Sequence, residues 1–243
     1  FSNIGSQLSP RFGLVHVLND HHSLKLLYGE AFRAPSESEL NLLNNPVLLG
    51  NPELDPETVQ SSELIWVGQW FDTGMSLGYF ESRFKDAIVQ VGSGGTRALE
   101  NVDQDPSKGF ELELSHQLND HWLLRGSYTS IIEKPALSFS ESDELASVMV
   151  NYQQGHWNAN LFGTYHSNQQ MPALDSDGKR IGLHGYWLLF GKLQYESAPD
   201  WEAFLQVKNL LDKDYSTPPS STRLTEGVAN RGREIQLGVN WRF

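Results

Sequence analysis

The 243 residues include no cysteine, which excludes a disulfide framework and any thiolate metal site. No apolar run approaches the roughly 18–20 residues that a membrane-spanning helix needs. Positive charge is scarce. Lys and Arg number 18 against 30 Asp and Glu, a formal charge of -12, which argues against nucleic acid as a partner. The chain opens on Phe1, with neither a Met nor a targeting segment, so it reads as a processed chain or an excised piece. Catalytic signatures are missing as well. There is no Gly-x-Ser-x-Gly elbow. Gly92-Ser93-Gly94-Gly95 lacks the helix and lysine of a phosphate loop. Asp175-Ser176-Asp177-Gly178 starts like a calcium loop but has no Glu at the twelfth position. The eight His residues are scattered without metal-ligand spacing, and the adjacent His21 and His22 read as solvated turn residues. No catalytic, metal or cofactor site is expected.

What the chain does contain is alternation. In the last segment Ile235, Leu237, Val239, Trp241 and Phe243 alternate with Glu234, Gln236, Gly238, Asn240 and Arg242. Period 2 means a strand with one apolar and one polar face. Glu111, Glu113, Ser115 and Gln117 oppose Phe110, Leu112 and Leu114, and Trp122, Leu124 and Tyr128 oppose Leu123, Arg125, Ser127 and Thr129. Trp157, Ala159, Leu161 and Tyr165 oppose Asn158, Asn160, Thr164 and His166, and Trp201, Ala203, Leu205 and Val207 oppose Glu202, Gln206 and Lys208. Around Phe80 and Phe84 the pattern sets the two rings opposite Glu81, Arg83 and Lys85. A mean hydropathy of -0.42 with 7 Trp, 8 Tyr and 12 Phe fits barrel strands, and equally a soluble all-β protein.

The connections discriminate better. Tight turns at 19–20, 71–74, 119–120, 155–156 and 198–200 alternate with long Gly-, Pro-, Ser- and Asn-rich segments near 34–57, 89–107, 132–143, 168–182 and 212–230. Strict alternation of short and long suits an up-and-down transmembrane barrel; Greek-key sandwiches have no reason for it. Eleven strands are expected, near 7–18, 23–33, 58–70, 75–88, 108–118, 121–131, 144–154, 157–167, 183–196, 201–209 and 231–243. Leu18-Asn19-Asp20-His21 recurs as Leu118-Asn119-Asp120-His121, a repeated turn. Because closed single-chain bacterial barrels use even numbers of strands, an odd count suggests missing N-terminal strands and an open sheet.

Four motifs in order then carry a family resemblance: Ser9-Pro10-Arg11-Phe12-Gly13-Leu14; Tyr28 to Ser36, including Phe32-Arg33-Ala34-Pro35; Gly50-Asn51-Pro52-Glu53-Leu54-Asp55-Pro56-Glu57; and Val207 to Tyr215, including Asn209-Leu210-Leu211-Asp212. With the terminal aromatic Phe243, they resemble TonB-dependent outer-membrane receptors. The resemblance implies that residues 1–243 are the C-terminal portion of a 22-stranded all-β antiparallel barrel, its plug domain absent from this chain. It implies an outer-membrane receptor, not an enzyme, that takes up an iron chelate such as a ferric siderophore. Its partners would be lipid, the ligand, and the TonB complex acting through the missing N-terminal part.

Each motif also has a purely structural reading: Phe32 and Pro35 can end a strand, Asn51-Pro52 and Asp55-Pro56 can stiffen a loop, and Asn209 to Tyr215 can form a turn. Arg33, Arg97 and Arg223 are the candidate readers of an anionic chelate. A haem receptor of the same family is an alternative, weakened because residues 36–50 hold no His to ligate iron. A soluble sugar-binding β-sandwich is an alternative of another class.

Overall fold

The computed structural model describes residues 7–43, 45–92, 97–198 and 201–241. Phe243, Pro199 and Asp200 of one expected turn, and residues 93–96 of the glycine-rich loop lie outside the described residues. In chain order the elements are β1 (Arg11–Asn19), β2 (His22–Arg33), α1 (Glu37–Asn41), β3 (Leu48–Leu49), β4 (Glu57–Trp70) and β5 (Thr73–Lys85). Next come β6 (Ala87–Val91), β7 (Arg97–Val102), β8 (Ser107–Asn119), β9 (Trp122–Glu133), a 3-10 turn at Ala136–Ser138, β10 (Glu144–Gln154) and β11 (Trp157–His166). The chain continues through β12 (Gln169–Leu174), β13 (Arg180–Leu183), β14 (Tyr186–Ala198), β15 (Trp201–Lys208), β16 (Ser216–Thr217), β17 (Val228–Ala229) and β18 (Glu234–Trp241).

One sheet of eleven strands dominates, in the order β1-β2-β4-β5-β8-β9-β10-β11-β14-β15-β18. Every neighbouring pair is antiparallel. All eleven expected strands are present. The sheet is open: β1 and β18 are its two ends and do not pair with each other.

Directly paired residues share a face, so the register sorts the side chains. One face carries the row Trp122, Tyr152, Ala159, Leu193, Leu205, Leu237 and the row Leu124, Val150, Leu161, Gly191, Val207, Ile235. The other carries Ser76, Glu113, Ser127, Ser147 and Thr164 in one row. Among the described residues nothing covers the apolar face at β18: Leu237 is 78% exposed and Val239 67%. Buried apolar side chains are few, and Leu54, Ala87, Leu99, Met171 and Ala173 belong to the long connections, not to a core between sheets. A sandwich would bury one face of each sheet against the other. Here the apolar face needs lipid as its solvent, which removes the soluble β-sandwich reading. Aromatic rings mark the band edges. Trp157 and Tyr165 share β11, and their partners Tyr195 and Trp187 share β14. At roughly 3.3 Å per residue each pair spans about 26 Å along its strand, or about 20 Å along the normal at a tilt near 40°. That approaches the height of a lipid-facing apolar band.

Three expectations are corrected. Phe80 and Phe84 do not lie on the apolar face. Tyr79 does, paired across to Leu64 and Phe110, with the Tyr79 and Phe110 rings 5.3 Å apart. Phe80 turns to the polar face, where its ring covers Gly109. Glu81 and Arg83 consequently lie on the apolar parity, beyond the aromatic edge at the long-loop end. Second, the strands expected at 75–88 and 183–196 are shorter, because the long connections hold strands of their own: β6 pairs β7, β7 pairs β3 in parallel, and β12 pairs β13. β5 therefore stops at Lys85, where Asp86 adopts φ 53, and β14 starts only at Tyr186. Third, His21 and His22 are not merely solvated. The His21 ring bonds the Gln69 carbonyl at 3.0 Å, and His22 stacks on Trp66 at 5.5 Å.

Candidate functional site at the long-loop end

The polar face forms a wall of mixed hydroxyls and charges. Ser61 and Ser82 bond across strands at 2.9 Å, as do Ser127 and Ser147 at 2.7 Å. A recess of about 560 Å³ lies against Glu113, Ser115, Arg125, Ser127, Ser147 and Met149. Among the described residues no group of three or more His, Asp or Glu is arranged to hold a metal ion. The Asp175 carboxylate accepts from the Asp177 and Lys179 amides, 2.9 Å each, so it caps its own hairpin turn.

Above the wall the loops fold into two clusters. The first joins the 34–56 and 86–106 connections. Ser36 caps α1, with its hydroxyl accepting from the Glu39 amide while the Glu39 side chain accepts from the Ser36 amide at 2.7 Å. This reciprocal pairing satisfies two helix-end donors. Arg33 then grips Glu39 through two nitrogens, at 2.9 and 3.1 Å, and Glu57 at 2.8 Å. The guanidinium bond holds the Glu39 carboxyl well below its ordinary value, at about 2, against the opposing effect of burial. Gly50 is a close-approach position: a Cβ there would meet the Leu42 nitrogen at 2.6 Å. Asn51 donates to the Leu99 carbonyl at 3.1 Å and accepts from the Glu53 amide at 2.9 Å. Leu54 is buried under this turn. Asn101 seals the unit, accepting from the Asp55 amide at 2.8 Å and donating to the Asp55 and Asp86 carbonyls.

The second cluster joins the 134–143, 167–185 and 209–233 connections. Arg180 lies 3.5 Å over the Phe139 ring, and Gln169 donates to the Ser140 carbonyl at 3.0 Å. Met171, in β12, is fully buried. His166 stacks on Tyr186 at 5.2 Å, and Tyr186 meets Tyr215 at 4.6 Å. Asn209 is buried at φ 49. Its amide donates to the Lys213 carbonyl, and its oxygen accepts from the Lys213 nitrogen, both 2.9 Å. Asp212, at φ 55, accepts from the Arg233 amide at 2.7 Å. Leu210 donates its amide to the Leu189 carbonyl at 2.7 Å.

The sequence-nominated residues thus separate into groups. Pro35, Asn51, Pro52, Leu54, Asn209, Leu210, Asp212 and Tyr215 lie in turns and loop packing; Phe32 and Ala34 flank Arg33 at the end of β2. Arg33 and Arg97 both belong to the first cluster, with different partners: Arg33 holds Glu39 and Glu57, and Arg97 is exposed and donates to Gln90 at 3.0 Å. Arg223 belongs to the second cluster, exposed, with its amide bonded to Ser221. The three arginines are therefore divided between the two loop clusters. Sequence reasoning missed Asn101, Met171 and the His166–Tyr186 stack. Their partners are distant along the chain, and only the strand register brings them together.

A family model described as TonB dependent receptor-like, beta-barrel matches residues 1–210. The vitamin B12 transporter BtuB of Vibrio vulnificus (strain YJ016) is 24% identical over 253 residues, covering 100% of this chain and 38% of that protein. The ferripyoverdine receptor of Pseudomonas aeruginosa is also 24% identical, over 96% of this chain and 30% of the receptor. The chain thus spans well under half the length of these relatives. The solved ferric enterobactin receptor PfeA of Pseudomonas aeruginosa superimposes with a TM-score of 0.83 at 19% identity, over 100% of this chain and 41% of that one. An open eleven-stranded sheet with an apolar lipid face, a polar inner wall and a family match over most of its length places this chain among the TonB-dependent receptor β-barrels of the bacterial outer membrane.

Proposed function

We propose that the chain is the C-terminal barrel portion of a receptor that captures an iron chelate, a ferric siderophore, for energised uptake through the TonB complex. The inner wall faces whatever fills the barrel, and the two loop clusters present the capture surface. The observation that supports this reading is the ordering of those loops: they pack into two clusters, and Arg97 and Arg223 are exposed on them, which suits capture of an anionic chelate at the extracellular mouth. The sequence likeness to a ferripyoverdine receptor supports the cargo class. Loops on a rigid scaffold are where specificity resides.

The likeness to a vitamin B12 transporter favours a second reading, a cobalamin-type cargo. The receptor containing this chain, purified in detergent, is titrated with ferric catecholate and ferric hydroxamate chelates, cobalamin and hemin while tryptophan emission is followed. Saturable quenching by a ferric chelate is expected. Saturation by cobalamin alone, or a stoichiometric Soret shift with hemin, would replace the siderophore reading.

A further inference from the structure

The histidines are scattered in sequence, yet the fold gathers several at one structural position. Successive hairpins of the sheet are joined by long loops at the extracellular end only. At the periplasmic end the β2/β4, β5/β8, β9/β10 and β11/β14 seams have no covalent link. Each described seam is bridged there in the same way. The carbonyl of the second turn residue accepts from a backbone amide of the next hairpin: Gln69 to His21 at 2.8 Å, Gln117 to Asp72 at 2.8 Å, Gln153 to His121 at 2.9 Å and Glu196 to His156 at 2.9 Å.

At two seams an imidazole returns the bond. His21 Nδ1 reaches the Gln69 carbonyl at 3.0 Å, and His121 Nδ1 reaches the Gln153 carbonyl at 3.0 Å. A carbonyl oxygen only accepts, so each ring carries its proton on Nδ1. Each His therefore closes a two-bond ring across its seam, accepting through its backbone and donating through its side chain. The sequence signature is the repeated Leu-Asn-Asp-His. Asn19 and Asn119 preset the turn, each accepting from the amide of its His at 2.9 Å. At the β5/β8 seam the role passes to His116, whose Nδ1 lies 2.7 Å from the Thr73 hydroxyl.

We propose that His21 and His121 are seam ties, positioning residues that lock successive hairpins at the periplasmic rim and keep that end of the barrel closed. The ties do not touch cargo, so this inference goes beyond the uptake reading and stands whichever ligand is carried.

The test uses the receptor containing this chain in lipid nanodiscs. In His21→Ala the Gln69 amide should exchange with deuterium roughly three- to tenfold faster, and in His121→Ala the Gln153 amide likewise, the factor one lost hydrogen bond gives. Gln117, whose seam lacks both rings, serves as the internal reference and should not change. Asn places its Nδ2 near the His Nδ1 position, so His21→Asn and His121→Asn should restore slow exchange. Should the Ala variants fail to fold, the imidazole nitrogen-15 shifts of the unmodified receptor decide the matter, with the Nδ1–H tautomer expected at both positions. Unchanged exchange in the Ala variants, no recovery with Asn, or protons resident on Nε2 would each overturn the assignment.

Discussion

Arg33 stands where a ligand-reading cation was expected, but two carboxylates already hold it, and it fastens α1 to the end of β2. Its ion pairs are partly exposed, worth about 0–1 kcal/mol each. Arg33→Ala should thus loosen the 34–56 loop by about 1 kcal/mol, roughly a fivefold rise in exchange at the Glu39 amide, without unfolding the sheet. The same cluster sets a pH limit. Glu39 is held at about 2, below its ordinary value. A depressed carboxylate contributes stability that is present above its unfolded value and lost as pH falls through the folded one. Exchange at Ser36 and Glu39, compared with a β9 reference after correction for intrinsic rates, should therefore rise between about pH 4.5 and pH 2. A flat profile would show that the pair does not order the loop. Asn209 makes the same point about motifs. Its place in the family signature was legible from sequence; its job, three bonds from one buried side chain at positive φ, was not. Asn209→Ala forfeits the cap and strains the turn, so a loss of about 1–3 kcal/mol is expected in a urea unfolding titration. Asn101 carried no signal at all, because its partners Asp55 and Asp86 approach only after two loops have folded together.

At the scale of elements, period-2 alternation located all eleven sheet strands, because in a single sheet with lipid on one side and polar contents on the other, every strand meets the same two solvents. The reading failed where that condition ends. Residues 79–85 run past the aromatic edge into the extracellular rim, where lipid no longer sets the outer parity and Phe80 is drawn inward over Gly109. The loop hairpins β6–β7 and β12–β13 escaped notice for a related reason. They are short, and their packing partners come from neighbouring loops, so no long alternation announces them. Face assignment yields a sharp contrast. Leu237 lies on the lipid face of β18 in register with Leu205, whereas Gln236 lies on the inner wall in register with Gln206. Leu237→Arg should cost about 2–4 kcal/mol in a vesicle folding titration if the position lies near the bilayer midplane. Gln236→Arg should cost far less. Equal costs at the two positions would invert the assigned faces.

At the scale of the whole molecule the decisive fact is that the sheet has two ends. β1 pairs only with β2, and β18 only with β15. Each end presents a row of backbone donors and acceptors, and in the bilayer such groups have no water to turn to, each costing several kcal/mol. The ends do not pair with one another, and the family fold has about twice as many strands. The missing hydrogen bonds must therefore come from other strands. It follows that these 243 residues alone should not insert into vesicles as a stable monomer. Refolded by dilution from urea, they should aggregate or remain accessible to protease, and should show no heat-modifiable band on electrophoresis. Supplying the remaining barrel strands of the receptor as a second polypeptide should rescue a protease-resistant, heat-modifiable species. The rescue should fail when proline is placed mid-strand in β1 at Val15, since proline cannot donate to the new ladder wherever the Val15 amide faces outward. A protease-resistant monomer formed by the chain on its own would mean that β1 and β18 can meet, and that the open sheet is not the form the protein takes in lipid.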